Sequence, residues 1–468
     1  MADSAVTFLG TALVVLVLLS SMAVAATPVS ISDPKDQQIL AGLLQHAART
    51  PQYLSREHCA RLAEEDAEGT EAIMWRATPY LRMPLTAYEL TRDPQYLDAF
   101  VSAFENVRAA LTTGPDGFLG WYGFADPEYR DPADPDRRID AVISSFAVTE
   151  LVSDFVALVD ADPELRTRFA RQRSEYLDLA ENHLVRKHDV RGDYVDLGAQ
   201  GGVYRTPPVG LKPSSARLTL PHNKHDIILR ALLALHRVTG KDDYLRRAIK
   251  LGTRFKRCLT LKDGHYEWNY WDPAGPWDVH PDDPGRWKHW IGPEHRGGYY
   301  SLSLSQAVLL YQHGLVFDRT DMDRFVRTQL DMCWNGDLER PVWSRVDGTR
   351  PEQYTQGEYI APALAPFSEK VAEYLFTGPR QERRLRDLSD SWGGVQAGGW
   401  LRAKLVECPT AVGGKQPFLA CGQRFLAKQE NSELAAKLAF AITEPGYRAP
   451  LTPAETGGPA SEAAGGSR

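Results

Sequence analysis

The sequence predicts an all-α fold, an (α/α)n toroid in which an inner ring of helices is wrapped by an outer ring and long loops form a cleft at one end. Three observations point there. Strand-like alternation is scarce, whereas apolar residues at three- and four-residue steps are common. The helices come in two kinds that take turns, one apolar almost all round and the next apolar on one face only. The couples recur at intervals of roughly 60 to 80 residues, as in a repeat architecture closed on itself. An open α-solenoid is the competing arrangement, but its repeats are shorter and more even.

The chain begins with the apolar run "TFLGTALVVLVLLSSMAVAAT", which ends in small residues with an A-x-A pattern. It reads as a secretory signal peptide over residues 1–26, although the leading "MADSAV" has no Lys or Arg. A membrane anchor is the alternative, since the run approaches spanning length. Ser20 and Ser21 interrupt it and A-V-A-A follows, which favours cleavage, no stable membrane insertion, and a secreted or periplasmic protein. A single toroid is expected over 31–445. The tail 446–468 lacks large apolar residues beyond its start and is expected to be disordered.

The couples follow in order. "EAIMWRATPYLRMPLTAYELT" (71–91) precedes "DPQYLDAFVSAFENVRAAL" (93–111), and "DAVISSFAVTELVSDFVALV" (140–159) precedes the amphipathic 163–184 segment. "HDIILRALLALHRVTG" (225–240) is followed by a one-faced helix with Leu245, Ala248, Ile249, Gly252 and Phe255 at helical steps. "YYSLSLSQAVLLYQHG" (299–314) precedes 320–334, and a fifth couple begins near 357–376. Gly, Asp or Pro separates the members of each couple. The long variable loops 113–138, 189–221 and 260–296 are placed to build the cleft.

The chain has 468 residues and a net charge of −7, so its bulk surface offers nothing to nucleic acid or an anionic membrane. Its five cysteines show no C-x-x-C spacing, and the chain carries no H-E-x-x-H, so no metal centre and no cofactor is expected. Cys408 and Cys421 are spaced to close a loop in an exported chain. The acidic loop 131–136 reads as solvated, with calcium as the alternative.

In a toroid the first turn of each inner helix faces the cleft, and three such entries are rich in polar groups. They are "LPHNKHD" with His222, Asn223 and His225; "EHRGGYY" with His295, Arg296, Tyr299 and Tyr300; and "RPEQYTQGEY" with Tyr354, Glu358 and Tyr359. Between the first two lies a Gly/Pro-broken loop that holds Trp268, Trp271, Trp277, Trp287 and Trp290, five of the eleven tryptophans. Indoles suit the C–H faces of sugar rings and donate to hydroxyls. The competing reading is a hydrophobic clasp. His265, His280, His289 and His295 cluster there with Arg286, Lys288 and Arg296, which suggests a local cationic cleft for a polyanion; a metal site is the competitor. Asn223 has a second reading as a helix cap. His236, His313 and Tyr311 read as structural, and Gly297 and Gly298 as a close approach.

Signal peptide, helical-hairpin ring, H-N entry and R-x-x-Y entry together resemble the (α/α)-toroid polysaccharide lyases, most closely the single-domain glucuronan/alginate lyase group. The resemblance spans roughly residues 35 to 440 as architecture and a handful of residues as motif. It implies β-elimination on a uronic-acid-containing polysaccharide such as glucuronan or mannuronate-type alginate, without a cofactor. Asn223 would neutralise the substrate carboxylate. Arg296 would pair with that carboxylate or act on the tyrosine. Tyr299 or Tyr300 would be base, acid or both, and His222, His225 or His295 would assist. The five tryptophans, His289, Lys288, Tyr354 and Tyr359 would bind the chain. In related lyases the arginine and tyrosine often stand further apart, which leaves Tyr354 and Tyr359 as alternative catalysts. A free tyrosine titrates near pH 10, so the chemistry independently asks for positive charge and a helix N-terminus beside it. A single tyrosine doing both proton transfers needs the C5 hydrogen and O4 on one ring face, as in glucuronate and mannuronate.

Two other functions compete. A glycoside hydrolase on the same ring would need two opposed carboxylates, with Asp140, Asp226, Glu294 and Glu358 as candidates. A non-catalytic polysaccharide-binding protein would keep the tryptophans without the Tyr–Arg–His group. A sugar epimerase is a fourth reading, disfavoured by the export signal.

Overall fold

The computed structural model describes residues 27–350 and 357–407. The expected leader, Tyr354, Cys408, Cys421 and the tail lie outside the described residues.

Four long inner helices follow one another: Thr78–Thr91, Val142–Asp160, His222–Thr239 and Gly297–Gln312. Each packs on the next, and Ser391–Arg402 packs back on the first to close the ring. The inner helices run the same way. Ser144 accepts from the Met74 backbone at one end while Arg82 reaches Asp154 further along, and Asp226 meets Ser305 in the third and fourth helices. Their N-termini therefore gather at one end, which we call the mouth.

Composition explains the inner position. In Val142–Asp160 nearly every side chain is buried, from Val142 to Val159. Burying a Val, Leu or Phe is worth about 1.5–3 kcal/mol, so the ring interior is the stable place for a helix with no polar face. The same helix is long and apolar enough to cross a membrane, but the ring itself buries 78% of its apolar window. The outer helices have one apolar stripe each. Asp242–Arg257 turns Leu245, Ala248, Ile249, Gly252 and Phe255 inward against His222–Thr239. Gln95–Arg108 does the same against the first inner helix, where Phe100 stacks on Phe104 and, across to the second inner helix, on Phe155. Pro34–Ala48 covers the first and last inner helices at the closure.

One expectation fails. The fifth inner position is not a long helix but a six-residue 3-10 turn, Pro362–Phe367, followed by the helix Glu369–Phe376. Pro362 and Pro366 lack the amide hydrogens that a longer helix would need. Glycine makes room for this segment. A Cβ on Gly297 would strike the Glu358 carbonyl oxygen, so only glycine lets the fourth inner helix begin against the 357–361 stretch.

Among the described residues the strands are confined to five two-stranded ribbons. Most lie in the loops that crowd the mouth: Gly123–Phe124 with Arg138–Ile139, Tyr194–Asp196 with Gly202–Tyr204, and Val279–His280 with Asp283–Trp287.

Candidate active site at the ring mouth

The mouth is organised around one cation. Lys224, in the first turn of the third inner helix, places Nζ 2.5 Å from Glu68 Oε1 and 2.6 Å from Glu71 Oε1. Both carboxylates sit in the turn before the first inner helix and are almost completely buried. Glu71 also accepts from the Gly69 amide at 3.1 Å and from the Trp75 indole at 3.1 Å. Its backbone lies at φ +40°, a left-handed conformation that strains a residue with a side chain. A π-helical turn, Ile73–Ala77, follows at once. Strain and an irregular turn beside a buried ion cluster are features concentrated at functional sites.

The environment separates the two acids. Burial pushes the Glu68 carboxyl up, with Lys224 pulling against it. Burial acts on Glu71 too, but Lys224, the Gly69 amide and the Trp75 indole outweigh it and hold that carboxyl below its ordinary value. Burial alone would lower the Lys224 ammonium; the two carboxylates raise it well above the usual lysine value.

Aromatic residues connect this cluster to the next entry. Tyr270 lies near enough to Lys224 to feel its charge, and its ring stacks on Tyr299 with centroids 5.6 Å apart. Tyr299 is half-buried in the first turn of the fourth inner helix. Arg296, the N-cap residue, donates from Nη1 to the Tyr299 hydroxyl at 3.3 Å and lies over the same ring at 5.3 Å. His295 packs edge-on against Tyr270 at 4.3 Å and against Tyr299 and Trp290 at 5.7 Å. Trp290 is 45% exposed.

Beneath this surface, Glu294 is fully buried and accepts from Ser303 and the His295 amide. Burial pushes its carboxyl up to about 8.

The other expected site residues fall into distinct places. Tyr300 is fully buried, stacked on Trp268 at 5.6 Å and donating to Gln329 at 3.0 Å. Tyr359 is buried against it. His225 bonds the Tyr204 amide at 2.9 Å, and burial pushes its imidazole down to about 3. His222 bonds Asp272 at 3.0 Å. Asn223 is 1% exposed with Oδ1 unpartnered, and it does not cap its helix, because Pro221 holds the N-cap position without a side-chain bond.

The indole loop is largely a clasp. The Trp271 indole donates to the Thr219 carbonyl at 2.8 Å and the Trp277 indole to the Thr219 hydroxyl at 2.9 Å. Trp268 is 3% exposed, and Trp287 packs with Leu218, Tyr270 and Trp271. Lys288 donates to the Ala216 carbonyl at 2.7 Å. The expected cationic cleft draws no charge from His289 or His295. Burial lowers the His289 imidazole and pushes His295 down to about 4, so both are neutral at neutral pH.

The carboxylates first considered for hydrolysis are engaged elsewhere. Asp140 is held by Lys187 and Arg191 at 2.6 Å each, and Glu358 by Arg380. Asp226 accepts from Ser305, and burial pushes it up to about 7. Glu68, Glu71, Lys224 and Tyr270 were not picked out by sequence reasoning. The signal available was the acidic run "EEDAEGTE" directly before an inner helix.

At the far end of the ring a cavity of roughly 270 Å³ is lined by Glu150, Asp154, Arg230, Arg237 and Arg402, among others. Arg82 and Arg230 reach Glu150 at 2.8 and 2.9 Å, and Arg82 and Arg237 both pair with Asp154. These ion pairs tie the first three inner helices together.

No family model matches the chain, and no curated protein matches it in sequence. Among solved structures, an inactive variant of the α-1,6-mannanase GH76A of Salegentibacter sp., in complex with α-1,6-mannotriose, aligns with a TM-score of 0.40. The identity is 12%, over 79% of this chain and 98% of that one. A likeness of that degree carries no chemistry across. What the chain's own packing establishes is an all-α ring of helical hairpins whose inner-helix N-termini converge on one mouth.

Proposed function

We propose that the chain is an exported carbohydrate-active enzyme that cleaves a uronic-acid-containing polysaccharide by β-elimination at the ring mouth. One observation carries the reading: of the tyrosines at the second entry, Tyr299 is the one left partly open, and its hydroxyl touches the Arg296 guanidinium. Acting as phenolate, Tyr299 removes the C5 proton, the C4–O4 bond breaks as the C4–C5 double bond forms, and the Tyr299 phenol returns the proton to the departing O4. Arg296 favours the phenolate form that takes the proton and stabilises the negative charge that develops on the substrate carboxylate. Asn223, in the first turn of the neighbouring inner helix, is the second candidate for the carboxylate, to which its side-chain amide nitrogen would donate. His222 and His225 hold the loops behind it. Trp290, exposed beside His295, offers a face to a sugar ring.

A second reading is favoured by the Glu68–Glu71 pair. Each places an oxygen on the Lys224 ammonium, so two buried carboxyls face one another at the mouth, and hydrolysis asks for a carboxyl pair. One acid raised and the other lowered is also how an acid and a nucleophile are told apart. In that case Glu68 protonates the leaving oxygen and Glu71 attacks.

One experiment separates them. The purified chain is incubated with glucuronan, polymannuronate and neutral mannan, and both reducing ends and the ultraviolet absorbance of a conjugated double bond are followed. Absorbance rising with reducing ends on a uronate supports elimination. Reducing ends without absorbance, lost in Glu68→Gln, overturn it in favour of hydrolysis.

A further inference from the structure

We propose that His222, Cys258 and Asp272 form a zinc-class metal site that fastens the third inner helix to its outer partner and to the indole loop. One imidazole nitrogen, one sulfur and one carboxylate oxygen from these residues all lie within 4.8 Å of one another, the one such group of three or more ligands among the described residues. Linear spacing hides it. His222 opens the helix His222–Thr239, Cys258 is the C-cap of Asp242–Arg257, and Asp272 belongs to the loop beyond the ribbon of Thr260–Lys262 and His265–Glu267.

The donor set is specific. Mixed nitrogen, sulfur and oxygen suits Zn²⁺ and its relatives, whereas Mg²⁺ and Ca²⁺ take oxygen alone. A divalent ion with one thiolate, one carboxylate and one neutral imidazole makes a neutral site, the kind that tolerates burial. The second layer is in place as well. Asp272 Oδ1 accepts from the Asn269 amide at 2.8 Å, which fixes the carboxylate while Oδ2 faces His222 at 3.0 Å. Arg254, one turn before Cys258, is the nearby opposing charge. Its guanidinium donates to the Pro273 carbonyl at 2.7 Å, so it braces the loop without occupying the Asp272 carboxylate oxygens. A thiol ligates as thiolate, so binding releases its proton and affinity rises with pH.

The site is structural in this reading, since His222 immediately precedes Asn223 and Lys224 and fixes where the mouth begins. Its fate is independent of whether the mouth eliminates or hydrolyses.

The test uses the full chain, stripped with a chelator and titrated with Co²⁺. The expected result is a single equivalent bound with a thiolate-to-cobalt charge-transfer band, lost in Cys258→Ser, weakened in Asp272→Asn and kept in Cys59→Ala. Zn²⁺ is expected to raise the melting temperature of the wild type but not of Cys258→Ser. Absence of the band, its survival in Cys258→Ser, or an equal Zn²⁺ shift in both proteins overturns the proposal.

Discussion

The loop 263–290 and the stretch 294–300 are neighbours in the chain and similarly dense in aromatic and ionisable groups, but the fold treats them differently. In the loop, the polar tips turn inward: the Trp271 and Trp277 indoles both bond Thr219, and Lys288 bonds a carbonyl. In the second stretch the helix start splits its residues. Tyr300 goes to the core beside Gln329, while Tyr299 stays at the surface against Arg296. Aromatic density therefore does not identify a binding surface. What matters is which rings the fold leaves open: Tyr299 in the second stretch and Trp290 at the end of the loop stay partly exposed, whereas Trp268, Trp271 and Tyr300 are enclosed.

The sharpest way to break this contrast is the tyrosine pair. Tyr299→Phe is expected to lower turnover about 10²–10⁴-fold, the usual worth of a positioned proton-transfer group, with an unchanged melting temperature. Tyr300→Phe is expected to keep turnover and lose about 1 kcal/mol of stability, because Gln329 Oε1 retains the Ala361 amide as a partner. Steady-state rates and urea unfolding on both variants decide it. The reverse pattern would move the catalytic role into the core and end the comparison.

The next effect concerns the ion cluster that Tyr270 connects to Tyr299. Lys224→Met leaves Glu68 and Glu71 facing each other without their cation, and a broken buried pair costs about 3–5 kcal/mol. Adding Glu68→Gln to Lys224→Met is expected to recover part of that loss, because one charge of the facing pair is gone. No recovery in urea unfolding would mean the two carboxylates do not share Lys224.

How much of this was legible beforehand differs from place to place for physical reasons. The ring was legible because a helix such as Val142–Asp160 is apolar nearly all round, apart from Glu150 and Asp154, and must be enclosed. The fifth couple misled because Pro362 and Pro366 sit in an apolar run that otherwise reads as helix. Arg296 and Tyr299 were legible as an entry, being three residues apart at a helix start. Tyr299 and Tyr300 were not separable, since adjacent residues point about 100° apart on a helix and its rotation is set by distant packing. Glu68 and Glu71 were invisible as a site because an acidic turn ordinarily faces water. Here Lys224, 153 residues after Glu71, covers it.

A smaller effect sharpens the loop side of the comparison. Trp271→Phe removes the donor to the Thr219 carbonyl inside a packed cluster and is expected to cost about 1–3 kcal/mol with KM unchanged. Trp290→Ala, at an exposed position, is expected to stay within about 0.5 kcal/mol of wild-type stability while raising KM. Equal effects on KM would make the clasp part of the binding surface.

The smallest expected effect lies under the mouth and is read from pH. Glu294 is raised to about 8 in the folded chain by burial, so between its ordinary value and pH 8 the folded state holds a proton that the unfolded state has released. Stability from this group is complete below its unfolded pKa and is lost as pH rises through about 8. Asp66, raised to about 8, and Asp226, raised to about 7, act with the same sign. His295 and His225 act oppositely, since their lowered values favour the folded state above the ordinary histidine pKa and lose that contribution on acidification. Glu294→Gln keeps the shape and removes one proton from this balance. Unfolding midpoints followed from mildly acidic to alkaline pH are expected to decline less steeply in the variant, with Asp66 and Asp226 supplying the remaining slope. Parallel profiles would mean that Glu294 is ionised in the folded chain, and the surface where Tyr299 and His295 meet would then rest on a buried anion rather than a neutral acid.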